Sequence, residues 1–426
     1  MSSVLRIFPK SSTRRTQRKE KGTENLSQSS ASFFRVTKPF QILLRDRLAG
    51  LMLLVDLQLP RESYQMKTGT PSKMPPSDSV LARFMLGFQG GSLPRELVEY
   101  LALGLAGVVL YQRNFSSAQN LQKLTSQIRE AAGRSVLIGI DQEGGTRFAL
   151  REPFTAWPSA ADLGRLGDPE SVERVARAMA DELRAVGCNL NFAPMLDLHT
   201  NPESPVTKDR SFGADPNHVA RLGAAFDRGL RAGGVLSCAK HFPGHGDAAV
   251  DPHLDLPVFA GNMKRLESAE LVPFAAAISS GVPLMMTAHI LLPQIDPENP
   301  ASLSRTMLDG VLRRRMGFRG VILADDLGMG AIARQYGPGE ASLRTLRAGT
   351  DIAMLCHDWS AVAPAIAAVR TAKQEAHLDE GEWNASLQRI DRARGIAESP
   401  APWPSIDILG CEKNQRLAEE IRARLR

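Results

Sequence analysis

The chain has 426 residues, 43% hydrophobic and 23% charged, which excludes disordered, collagen-like and disulfide-scaffold classes and leaves length for one large core or two smaller ones. Its net charge of +6 is unevenly spread: residues 1–48 hold eleven Lys/Arg against three Asp/Glu. The remainder is slightly acidic, so no nucleic-acid footprint is expected for the body of the protein.

Residues 1–79 read as a basic N-terminal extension. Arg14-Arg15, Arg18-Lys19 and Lys21 precede Ser27-Gln28-Ser29-Ser30, and so little apolar content predicts disorder. An Arg- and Ser-rich, acid-poor segment also suits targeting, although it lacks the apolar run and cleavage site of a secretory signal. Residues 41–59 are apolar but are interrupted by Arg45, Asp46, Arg47 and Asp56, so stable membrane insertion is not expected. Cys188, Cys238, Cys356 and Cys411 show no metal-ligand spacing and sit in or near apolar contexts, which predicts reduced thiols in a cytoplasmic protein.

From residue 80 onward, short apolar runs alternate with longer amphipathic ones. The expected strands are 84–88, 107–111, 136–140, 190–193, 235–239, 283–286, 321–324 and 352–355. Helical segments are expected at 94–103, 117–132, 169–186, 218–232, 265–280, 304–316 and 340–348. Near-continuous apolar strands alternating with helices imply a parallel sheet covered by helices, and eight such units suit a single-domain (β/α)8 barrel over 80–400. A doubly wound open sheet is the alternative, but the first strand-helix turn, Gly87-Phe88-Gln89-Gly90-Gly91-Ser92, is no dinucleotide fingerprint. Residues 401–426 form a C-terminal tail whose last fifteen positions, from Glu412, read as one amphipathic helix packed on or extending from the barrel.

Barrel enzymes place their chemistry at the C-terminal ends of the strands. Asp141, Asp197, Lys240-His241, His289 and Asp325-Asp326 all fall there in this reading. The segment Lys240-His241-Phe242-Pro243-Gly244-His245-Gly246-Asp247, followed by Asp251-Pro252-His253, concentrates ionisable groups in a stretch whose Pro and Gly forbid a helix. His253, two residues after Asp251, suits a general acid/base oriented by a carboxylate. Asp325 or Asp326, ending an apolar strand, suits a nucleophile, and periodicity alone does not choose between them. A metal site using His241, His245, His253 and an aspartate is disfavoured, because Pro243-Gly244 denies the helix that an HxxxH pair needs.

Five segments together resemble glycoside hydrolase family 3, in its β-N-acetylglucosaminidase (β-N-acetylhexosaminidase) branch of the peptidoglycan-recycling type. They are Ile140-Asp141-Gln142-Glu143-Gly144-Gly145, Lys208-Asp209-Arg210-Ser211-Phe212-Gly213, the Lys240–Gly246 run, Asp251-Pro252-His253 and Ala324-Asp325-Asp326-Leu327-Gly328-Met329. The resemblance implies a retaining, two-step mechanism without cofactor or metal. Asp325 attacks the anomeric carbon, and His253 with Asp251 protonates the leaving oxygen and later activates water. Asp141, Arg210, Lys240 and His241 hold the N-acetylglucosamine hydroxyls.

Three positions depart from the family pattern. Its usual arginine after Gly144-Gly145 aligns with Ala149, flanked two places away by Arg147 and Arg151; Arg147 is the candidate sugar ligand, with Arg151 left open as the replacement. The usual Asp-Ser-His has Pro252 at its centre, and Ala324 stands where a serine is usual. The expected substrate is a terminal β-linked N-acetylglucosaminyl glycan or muropeptide, and the expected protein a monomer. A phosphorylase or β-glucosidase of the same family, and a non-catalytic sugar-binding relative, are the alternatives.

Overall fold

The computed structural model describes residues 78–148, 150–248, 250–398 and 402–426, without the side chains of 147 and 148. These residues belong to the compact unit Pro71–Arg426, and the N-terminal extension expected over 1–79 lies outside them up to residue 77.

Eight parallel strands close on themselves: β1 (Phe84–Gly87), β2 (Gly107–Val109), β3 (Leu137–Ile140), β4 (Leu190–Asn191), β5 (Leu236–Phe242), β6 (Leu284–Thr287), β7 (Val321–Asp326) and β8 (Ile352–Leu355). Each strand pairs with its neighbours in sequence, and β8 returns to β1 with Phe84 opposite Ala353. The two apolar faces of each strand have different destinations. Met85, Leu137, Leu190, Leu236, Leu323 and Met354 fill the barrel interior, whereas Phe84, Leu86, Ile138 and Ile140 pack outward. That double burial is why the strands read as continuous apolar runs and not as alternating ones. Gly139 is forced by the same packing, since a Cβ there would lie 2.6 Å from Cζ of Phe192 inside the barrel.

Every expected strand is present, with shifted ends. β5 runs three residues past Ala239 and β7 two past Ala324, so Lys240, His241, Asp325 and Asp326 lie within strands and not in the loops after them. β4 stops at Asn191, ahead of Pro194, which has no N–H to donate to a ladder. Residues 265–280 form two helices, Met263–Ser268 and Leu271–Ser280, and not one. Pro273 in the first turn of the second suits a helix start and would remove a hydrogen bond from an uninterrupted one. The expected helix at 304–316 winds as a π-helix over Thr306–Arg315.

The C-terminal helix Glu412–Arg424 lies against helices Ala160–Leu166 and Pro169–Ala185. Buried Glu182 fastens it, accepting from Gly410 N at 2.9 Å, Asn414 Nδ2 at 3.2 Å, Thr155 Oγ1 at 2.6 Å and Trp157 Nε1 at 3.2 Å. Among the described residues no helix is long and apolar enough to cross a membrane.

Candidate active site

A cavity of about 540 Å³ opens at the C-terminal ends of the strands. Its lining unites Asp141, Arg210, Lys240, His241, Asp251, His253 and Asp325, residues spread over 185 positions of sequence. Of the site residues expected from sequence only Arg147 is missing from this set, and its side chain lies outside the described ones. Arg151, the other arginine flanking Ala149, does line the cavity.

Two strands lose their regular register where they reach the cavity. The β5–β6 pairing shifts between Ala239 and Phe242, and the β7–β8 pairing between Leu323 and Asp326. Such irregularities re-aim side chains at active sites, and here both Lys240 and His241, consecutive in sequence, face the cavity.

Glu143 organises the cationic wall. Its carboxylate accepts from Arg210 through Nε at 2.9 Å and Nη2 at 2.8 Å, and lies 2.6 Å from Lys240 Nζ. Burial alone would raise the Glu143 pKa, but Arg210 and Lys240 outweigh it and hold the carboxyl well below the usual range. Lys240 also donates to Asp141 Oδ1 at 2.5 Å. Burial would lower the Lys240 pKa, and Asp141 with Glu143 drives it upward instead, so the ammonium stays charged. Lys240 is 3% exposed and Asp141 39%, leaving the aspartate open to a ligand in the cavity. A sugar hydroxyl there meets both an acceptor and fixed donors.

His241 is oriented from behind by Asp197, which is buried in the segment after β4, six residues beyond Asn191. Asp197 Oδ2 lies 2.6 Å from His241 Nδ1, while Oδ1 accepts from His245 N at 2.7 Å. This leaves His241 Nε2 free of the Asp197 contact. Glu143 and Asp197 had no assigned role in the sequence reading; their only signals were membership of the first motif and a place at a strand end.

The adjacent acids of β7 have different fates. Asp326 is spent on structure: Oδ1 accepts from Gly328 N and Cys356 N, both at 3.0 Å, and Oδ2 lies 2.7 Å from His357 Nδ1. Asp325 Oδ1 accepts from Asp326 N at 2.8 Å. Burial would raise the Asp325 pKa, yet His241, His289, that backbone N–H and Lys240 together lower it, so the carboxylate remains ionised. His289 is held by Ser302 Oγ at 2.7 Å and the Asp326 carbonyl at 3.0 Å, a supporting position below the site.

His253 projects from the long loop after β5, its side chain 59% exposed. Asp251 Oδ1 lies 2.7 Å from His253 Nδ1 and accepts from the His253 N–H at 2.9 Å. The carboxylate places the proton of a neutral ring on Nδ1 and leaves Nε2 to exchange protons with a ligand. The loop docks against the chain beyond β7, where Ala331 N donates to the Pro252 carbonyl at 3.0 Å. Among the described residues no three His, Cys, Asp or Glu side chains are grouped to hold a metal ion.

Comparison with known proteins points the same way. Residues 88–393 match the model described as glycosyl hydrolase family 3 N terminal domain. A β-hexosaminidase of Xylella fastidiosa is 40% identical over 280 residues, covering 64% of this chain and 83% of the relative. One from Neisseria meningitidis is 38% identical over 260 residues, covering 59% and 72%. Among solved structures, a family 3 β-N-acetylglucosaminidase from Paenibacillus superposes with TM-score 0.77 at 33% identity, covering 81% of this chain and 68% of that one. A β-N-acetylhexosaminidase from Beutenbergia cavernae gives 0.70 at 31% identity, covering 74% and 97%.

Proposed function

The chain belongs to glycosyl hydrolase family 3 and is a glycoside hydrolase, and from that premise we propose that it removes terminal β-linked N-acetylglucosamine by a retaining mechanism centred on Asp325. The observation that carries the assignment is the contrast at the end of β7. Asp326 has both oxygens engaged by neighbouring groups, while Asp325 is kept charged at the cavity by His241, His289, a backbone N–H and Lys240.

In the first step Asp325 attacks the anomeric carbon as the bond to the leaving oxygen breaks, and Nε2–H of the His253 imidazolium gives its proton to that oxygen. The product is a glycosyl ester on Asp325. In the second step neutral His253 takes a proton from water through Nε2, water attacks the same carbon, and Asp325 is released. Asp251 fixes the ring through Nδ1 in both steps. An imidazole in this seat departs from the two-carboxyl pair of most glycosidases.

Asp141, Lys240, His241 and Arg210 surround the place of the sugar hydroxyls. The bidentate grip of Glu143 on Arg210 keeps the guanidinium planar to the wall and leaves fewer of its donors for sugar. The relatives' activity, together with three buried thiols and a partly buried fourth, all free, supports a cytoplasmic enzyme acting on cell-wall fragments, muropeptides included.

The direct test is release of nitrophenol from the p-nitrophenyl N-acetyl-β-glucosaminide beside the plain β-glucoside, in phosphate-free buffer. Strong preference for the N-acetyl sugar is expected. Preference for glucose would overturn the substrate assignment, and turnover that requires added phosphate would replace hydrolysis by phosphorolysis.

A further inference from the structure

A second cavity, of about 660 Å³, lies at the opposite end of the barrel. Arg83 immediately precedes β1, Arg319 lies two residues before β7, and Thr350-Asp351 lead into β8, so this cavity occupies the N-terminal mouth between the first and last strands. Its volume is that of a small-molecule site. None of the candidate active-site residues lines it.

The charge lining this mouth does not balance. Seven arginines face four carboxylates. Asp351, fully buried, takes Arg313 and also Arg389 at 2.8 Å. Asp309 takes Arg314 at 2.7 Å, and Glu382 takes Arg305. Asp379 caps the helix Glu380–Ala397 by accepting from Glu382 N at 2.7 Å.

Three arginines are then left without a carboxylate among the described residues. Arg83 is buried, donates to the carbonyls of Asp351 at 2.6 Å and Thr350 at 2.8 Å, and stacks on Trp383 at 4.5 Å. Arg319 and Arg347 are exposed, and neither forms an ion pair with a described residue. The buried Nε of Arg313 also lacks an acceptor. Burial lowers the Arg83 pKa to about 10, with Asp351 opposing and the neighbouring Arg389 adding to the fall. A structural role explains the arginines that clamp Asp351, and Arg83, which ties down the Thr350-Asp351 backbone, but not Arg319 and Arg347 beside the open volume.

We infer that this N-terminal mouth is a binding site for a small phosphate-bearing polyanion, held by Arg319 and Arg347 at the rim over a floor of Arg83 and Arg313. Guanidinium forks match phosphate oxygens in pairs, and a partly desolvated cluster strengthens each such bond. A single carboxylate would neutralise one of the three surplus charges, whereas a diphosphate neutralises them together.

The test uses the full chain and pyrophosphate as probe, by titration calorimetry at low salt with N-acetylglucosamine present in excess to occupy the glycosidase cavity. One site is expected, weakened about tenfold or more in an Arg319→Ala/Arg347→Ala double variant. Both side chains are exposed, so the variant should melt within a few degrees of the parent, which thermal denaturation checks. Binding should also weaken steeply with salt. Absence of binding at millimolar pyrophosphate, or equal binding by parent and double variant, overturns the inference. Citrate as a second probe separates phosphate recognition from general attraction of anions, and equal affinity for both would overturn the phosphate assignment. None of these outcomes depends on glycoside turnover, so failure here leaves the hydrolase assignment untouched, and the reverse holds.

Discussion

With both oxygens of Asp326 bonded to Gly328, Cys356 and His357, its loss would undo the end of β7, whereas Asp325 is free to change its bonding during a reaction. Asp325→Ala is therefore expected to lower turnover by about 10⁴-fold or more with the melting temperature preserved. Steady-state assays beside thermal denaturation check this, and appreciable residual activity would move the nucleophile elsewhere. His253→Ala should behave differently, because in the proposed mechanism its exposed ring acts on the leaving group. Poor leaving groups should lose about 10²- to 10⁴-fold, while a nitrophenyl glycoside, which leaves without a proton, should lose far less in the glycosylation step. Equal losses on both would argue against an acid role. At this scale the sequence pointed to the side chains that line the cavity but not to what holds them. Glu143 reaches Lys240 across 97 positions and Asp197 reaches His241 across 44, and no local pattern encodes such pairings. The arginine near Gly144-Gly145 was ambiguous for a related reason, because the ribbon formed by Gln142–Gly144 and Arg147–Phe148 has an irregular register that residue counting cannot follow.

Among the elements, the strands were legible because burial on both faces leaves an unbroken apolar run, and the helices because their apolar residues recur on one face. The ends of β5 and β7 were not, since Lys240 and Asp326 are polar residues that nonetheless continue the ladder. The acid/base loop shows how one element sets the chemistry of another. Its backbone rests on Gly330, the first residue of the short helix Gly330–Ala333 after β7; a Cβ at that position would lie 2.5 Å from the His253 carbonyl oxygen and 3.1 Å from that of Leu254. Gly330→Ala must therefore push the dyad loop away from the segment that follows the nucleophile. Misplacement by about an ångström is enough to cost on the order of 10²-fold in turnover. The expected signature is a fall in kcat on natural-type substrates with melting temperature little changed, since the displaced loop lies at the surface. Unchanged kinetics would show that the loop's position is not set by this contact.

For the whole molecule, the barrel buries imidazoles at a cavity lined with charge, and burial lowers the pKa of His245 and of His289. His245 is 2% exposed, and neither ring nitrogen has a partner among the described residues, although its backbone N–H is held by Asp197. Burial lowers its pKa to about 4, with Asp197 opposing and His241 reinforcing the fall. The direction of the stability effect follows from proton counting. In the unfolded chain an imidazole binds its proton near pH 6.5, while in the folded chain it waits until about pH 4. Between those values the unfolded state holds more protons, so acidification draws the equilibrium toward it. His245 therefore leaves stability intact above pH 6.5 and removes about 3 kcal/mol by pH 4, an order-of-magnitude figure from that shift. An apolar ring in its place has no proton to bind. His245→Phe also loses no side-chain hydrogen bond to a described residue, so it should fold, and its denaturant midpoint should fall less steeply than the parent's between pH 6.5 and 4.5. His289 remains in both proteins, whereas Asp197 interacts directly with His245, so the difference between the two curves reports His245 together with its coupling to Asp197. Parallel curves would mean that the ring is solvated or bonded in solution and that its proton does not separate the folded from the unfolded chain.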